Sequence, residues 1–171
     1  MRRCRTVTVE VHYADEGVAI GSCGCVVLFA WRGDVTLERV VAGEAVIRER
    51  AAACPRAIAL LTVVEDGAPP PSGEPERRVR ESLEELGEQL AGVAIVFEGA
   101  PGWLAWALDG IATVASVMRR KLAQKHTVSR REACVWVQRR CEGAPEAPSR
   151  DQLLAALEQV QSAILGERRA Q

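Results

Sequence analysis

Three short apolar runs constrain this chain more than any other feature: CVVLFAW at 25–31, AIALLTVV at 57–64 and VAIVFEG at 93–99. Each has the length of a strand and is apolar at consecutive positions, as a strand buried on both faces requires. Between them lie two stretches of helical period. Residues 36–53 open on Thr36 as an N-cap and place Leu37, Val40, Val41 and Ile47 inward, with Pro55 as the stop. Residues 75–91 carry Val79, Leu83, Leu86 and Leu90 on one stripe, with Glu and Arg around the rest. Buried strands alternating with amphipathic helices predict a largely parallel sheet with right-handed crossovers.

The flanks extend this pattern. TVTVEVHY at 6–13 alternates strictly and predicts a half-buried strand near a sheet edge. A Gly-rich connection, EGVAIGSCG, would join it to the first apolar run as a hairpin. Pro101-Gly102 starts a long helix reaching about Gln124, HTVS at 126–129 is a candidate final strand, and REACVWVQRRC at 131–141 is helical. GAPEAPS then links to a terminal helix over 149–166 with Leu153, Leu157, Val160 and Ile164 inward. The expected architecture is a single α/β domain over 1–141, followed over 142–171 by a linker and a C-terminal helical extension. Its central sheet is expected to be mostly parallel, with four to five strands.

This order of elements resembles the STAS domain, the fold of bacterial anti-sigma-factor antagonists and sulfate-transporter tails. The resemblance covers about residues 5–140. It rests on the element order, on the loop after ALLTVV and on the closing segment TVSRREACVWV. It implies a non-enzymatic protein–protein interaction or regulatory domain. In phospho-switched members that loop carries an Asp-Ser-Ser-Gly-like sequence whose serine is phosphorylated at a helix N-terminus. Here it reads VVEDGAPPPSGEP, with only Ser72-Gly73 in place and Glu65, Asp66, Glu74 and Glu76 around it. Those carboxylates disfavour a phosphate, and the plainer reading of Ser72 is a helix cap.

The net charge of −1 gives no general attraction to nucleic acid or to an anionic membrane. A local basic stretch contains Arg119, Arg120, Lys121, Arg130 and Arg131, but no aromatic side chains interleave to stack bases. An acidic protein surface suits it better than specific nucleic-acid binding. No apolar run is long enough to span a bilayer, and the N-terminus lacks a signal-peptide core, so the chain reads as cytoplasmic. Its Arg, Ala and Glu bias reads as GC-rich bacterial coding.

Motifs for chemistry are sparse. The chain has two histidines and no nucleophile elbow, Walker loop or dinucleotide fingerprint, and no cofactor is expected. Cys23-Gly24-Cys25 supplies two thiolates, with His12 as a conceivable third ligand across the hairpin; small buried thiols beside a turn are the plainer reading. Strand carboxyl ends host ligands in open α/β sheets. That rule marks the loops near Asp34, Asp66 and Glu98 as the alternative site, for a small molecule or lipid. The helix from Pro101 gives the strongest partner signal. Leu104, Leu108, Ile111, Ala115, Met118 and Leu122 form the stripe expected on the sheet. Trp103, Trp106, Gly110, Thr113 and Val117 form a second apolar face for self-association or a protein partner. The terminal helix or a second copy would cover that face.

Overall fold

The computed structural model describes residues 8–54, 56–99, 101–117 and 122–166, without the side chains of 110–117 and 165–166. The strands are β1 (Val9–Ala14), β2 (Val18–Cys23), β3 (Val26–Trp31), β4 (Ile58–Val64), β5 (Leu90–Phe97) and β6 (Gln124–Thr127). The helices are α1 (Leu37–Ala53), α2 (Gly73–Leu86), α3 (Pro101–Val117), α4 (Arg130–Arg140) and α5 (Arg150–Gly166), and a 3₁₀ turn (Gly87–Gln89) follows α2.

The six strands form one sheet in sequence order. β1, β2 and β3 are antiparallel neighbours, whereas β3, β4, β5 and β6 run parallel. The expectation of four to five strands in a mostly parallel sheet is therefore corrected to six strands in a mixed sheet. The difference is β2, which lies within the segment read as a Gly-rich connection. Its Gly21 is there for close approach: a Cβ would sit 2.6 Å from Val160 Cγ2 and 2.7 Å from the Glu10 carbonyl oxygen. A glycine required by packing carries the same letter as one required by a turn.

The β1–β2 turn is organised by Asp15, whose Oδ1 accepts the Gly17 and Val18 N–H groups at 2.7 and 2.8 Å. Its Oδ2 accepts from Tyr13 and from Arg39 of α1. Partial burial pushes the Asp15 carboxyl up, but these hydrogen bonds outweigh it and hold the group below its ordinary value.

α1 packs on α2 and α2 on α3, and all three line one cavity over β3–β5, so these helices share one face of the sheet, as crossovers of one hand between sequential parallel strands require. α4 and α5 cover the other face, where small residues let them come close. Gly21 lies against Val160 of α5, and a Cβ on Gly92 would meet Trp136 of α4 at 2.6 Å. Leu153, Ala156, Leu157, Val160 and Ile164 of α5 are completely buried. The C-terminal helix thus shares the core of the sheet it covers, and it packs on β1, β2, β3 and α4.

Two helical stripes differ from their expected composition. α1 buries Val40, Gly43, Glu44, Val46 and Ile47, while Leu37 and Val41 are exposed. α2 ends at Leu86, where Gly87 takes φ +48°, so Leu90 opens β5 instead of closing the helix.

Candidate ligand cavity

Alternation along the central strands decides what faces α1–α3. Phe29 pairs with Thr62 and Thr62 with Ile95, while Leu60 pairs with Val93. These residues and Trp31 form the floor of a cavity of about 100 Å³. Val35, Val40, Gly43 and Ile47 close it from the α1 side, and Val79, Leu83 and Leu86 from α2. Pro71 and the two tryptophans of α3 complete the wall.

Aromatic rings run through the cavity as a connected arc. Phe29 and Trp31 are parallel, with centroids 6.4 Å apart. Trp31 meets Trp103 at 6.2 Å, and Trp103 meets Trp106 edge-on at 5.3 Å. Three of the four tryptophans of the chain line this one space. Rings bulky enough to hold three helices off a sheet leave a gap that small residues on the opposite face do not.

Few polar groups enter the lining. Glu44 is 4% exposed and receives Arg78 in a two-point contact, Nε to Oε1 at 2.7 Å and Nη2 to Oε2 at 2.8 Å. Ser82 donates its hydroxyl to the same carboxylate. Burial pushes the Glu44 carboxyl up, but Arg78 and Ser82 together hold it below its ordinary value. The charge is thus already satisfied where it meets the cavity. Thr62, 9% exposed on β4, has no side-chain hydrogen bond to the described residues. The indole N–H groups of Trp103 and Trp106 are buried and likewise without an acceptor among the described residues. A smaller cleft lined by Glu44, Ile47, Arg48, Ser82, Glu85, Leu86 and Gln89 adjoins the cavity.

The α3 faces exchange places relative to the sequence expectation wherever side chains are described. Trp103 is 4% exposed and Trp106 half-buried, both turned toward the cavity, while Leu104 and Leu108 are 41% and 54% exposed. The side chains of Gly110, Thr113 and Val117 lie outside the described residues, as do Arg119, Arg120 and Lys121.

At the strand carboxyl ends the structure places ion pairs. Arg32 binds Glu65 at 2.6 Å, and Arg130 binds Glu98 through both oxygens at 2.5 and 2.9 Å. Gln161 also donates to Glu65. Asp66 is exposed beside Gly99, and Asp34 is exposed with its carbonyl accepting from Arg39. Arg130 of the expected basic patch is therefore paired, and Arg131 is exposed.

Ser72 occupies the N-cap position of α2 and is exposed, but its side chain makes no capping hydrogen bond. The loop before it is part of the cavity: Pro71 is in the wall, and Pro70 lies against Gly102 of α3. His12 donates to or accepts from Ser22 Oγ at 2.8 Å. Cys23 and Cys25 are buried on either side of the Gly24 turn, and no group of three metal-ligating side chains exists among the described residues. Burial pushes the Cys23 thiol up to about 11, and Cys25 lies against Cys141, which lowers the Cys25 thiol and raises its partner.

No family model, curated protein or solved structure matches this chain.

Sequence reasoning missed Phe29, Trp31, Glu44 and Thr62 as site residues. Two signals for them stand in the letters. Thr62 is the one hydroxyl in the run AIALLTVV, and Glu44 falls four residues after Val40 on the inner stripe of its helix.

Proposed function

We propose that the protein is a non-enzymatic binding domain that takes up a small apolar molecule in the cavity beneath α1–α3. The observation that carries this reading is the inward turn of Trp103 and Trp106 to complete an aromatic-lined space of about 100 Å³. Small-molecule sites are concave and mostly apolar, with a few placed polar groups. At about 100 Å³ the space is smaller than the roughly 150 Å³ apolar cavity that admits benzene, so a single ring is the upper limit of what it takes without adjustment of the walls. The site lies under the helices, with Val35 and Pro71 of the strand-end loops in its wall, while ion pairs already occupy Glu98 and Glu65 at those strand ends.

The test is ligand-observed NMR with toluene on the wild type and on Val79→Phe, which adds a ring to the α2 wall. Toluene is expected to bind the wild type and to lose at least about tenfold in affinity in the variant, as filling the space removes its contacts. Absence of toluene binding to the wild-type protein would overturn the reading.

A STAS-like interaction domain acting through α3 is the second reading. It is favoured by Leu104 and Leu108, large apolar side chains one turn apart and exposed on the outer face of that helix. In this reading the protein partner, or a second copy, meets Leu104 and Leu108 in place of the tryptophans. The helix order and the loop between β4 and α2 support the resemblance. A cytoplasmic, bacterial setting accords with the composition.

A further inference from the structure

Resting on the ligand-binding reading, the geometry points to a ligand class: an uncharged, single-ring molecule carrying one hydrogen-bond acceptor, held by the Thr62 hydroxyl. Thr62 sits at the middle of the sheet, between Phe29 of β3 and Ile95 of β5, in a floor otherwise made of Phe29, Trp31, Leu60, Val93 and Ile95. Valine has nearly the same shape and would fit an apolar floor without cost. The Thr62 oxygen is not among the fully enclosed polar atoms without a partner, and a hydroxyl open to an apolar cavity is left to bond whatever enters it. The residue therefore gives the cavity one directional contact.

The chemistry of the remaining lining narrows the ligand. The Thr62 hydroxyl donates as readily as it accepts, and Trp103 and Trp106 bring two more buried N–H donors to the wall. Every one of these unpartnered groups can donate, so the complementary ligand atom is an acceptor. The carboxylate of Glu44 is the one formal charge among the described lining residues, and Arg78 and Ser82 already occupy it. An anionic ligand would meet this carboxylate without an unpaired cation among the described lining residues. A cationic ligand would meet the two indole donors and, among the described lining residues, only the Thr62 hydroxyl as an open acceptor. Taking an unpaired charge into such a space is costly, so the ligand is neutral. The aromatic arc supplies faces and edges for its ring.

Ethylbenzene, acetophenone and benzoate share a skeleton and differ in these features. Their binding to the wild-type protein and to Thr62→Val is measured by calorimetry, together with the melting temperature of each. The expected result is that Thr62→Val weakens acetophenone about tenfold, the scale of one hydrogen bond, and changes ethylbenzene by less than about twofold. Benzoate should bind the wild type at least about tenfold more weakly than acetophenone, because its charge must be desolvated. Thr62→Val should melt at or above the wild-type temperature. Equal effects on ethylbenzene and acetophenone would overturn the ligand class and leave the cavity reading standing. So would benzoate binding as tightly as the ketone, or a variant that melts well below wild type or fails to fold, since the hydroxyl would then be serving the fold. If neither ethylbenzene nor acetophenone binds the wild type, the cavity reading falls too.

Discussion

Glu44 is an acid placed where a helix would ordinarily present a leucine. Its neighbours on the α1 stripe, Val40, Gly43 and Ile47, face the sheet, and it is even less exposed than Val40 and Ile47. The position is tolerable because Arg78, 34 residues later in the chain, reaches back with both donors, and Ser82 adds a third. Removing one member of a buried pair strands the other, which costs more than the pair itself contributes. Glu44→Gln is expected to lower the melting temperature by roughly 5 °C at neutral pH. The folded carboxyl titrates below its ordinary value of 4.5. Its contribution is therefore complete above that value and is lost as the pH falls through the lower folded one. The wild-type stability should drop along this acid limb, and the gap between the two proteins should close. A gap that stays constant from neutral pH down to acid would refute the assignment. A single Glu in a helical stripe announces a buried charge, but its partner lies on another helix and nothing local names it.

At the scale of elements, the sheet was legible where strands are buried runs and illegible where a strand is made of small residues. β3, β4 and β5 stand out in the letters because every position is apolar or nearly so. β2, VAIGSC, is equally buried, yet its Gly21 and Ser22 imitate a turn. Its register puts Gly21 opposite Val11 and under α5. A side chain there would collide with the Glu10 backbone as well as with Val160, and only one of those can rotate away. Gly21→Ala is accordingly expected to destabilise the protein by about 2 kcal/mol, read from the urea midpoint. A change below about 0.5 kcal/mol would mean that the β1–β2 pairing yields freely.

α3 shows the opposite difficulty. A helix apolar nearly all round gives two candidate stripes, and periodicity alone does not choose between them. The choice falls to Trp31 on β3, whose ring meets Trp103 and leaves Leu104 and Leu108 outside.

For the whole molecule, the two layers have different characters. The face under α4 and α5 is closed by helix side chains seated on sheet glycines, Val160 on Gly21 and Trp136 on Gly92, and α5 adds five completely buried side chains. The face under α1–α3 keeps a cavity and places exposed leucines on its outermost helix. Self-association, if α3 supports it, is a property of that outer surface and not of the cavity. Leu108→Glu should then convert a dimer to a monomer by light scattering without changing toluene binding. A wild-type monomer would set self-association aside, and a variant that loses toluene binding as well would tie the leucine to the inner layer.

The amino-acid sequence by itself determined the alternation of strands and helices and marked α3 as the element with too much apolar surface. Buried strands and amphipathic helices are local patterns, written within a few residues of one another. It also placed tryptophans and a proline-rich loop where they turned out to touch one space. Tertiary structure alone decided which face of α3 turns inward, that α5 closes the opposite layer, and that Glu44 and Thr62 line the same cavity. Those outcomes depend on contacts between residues tens of positions apart, where side-chain volume on a neighbouring strand sets the orientation that periodicity leaves open.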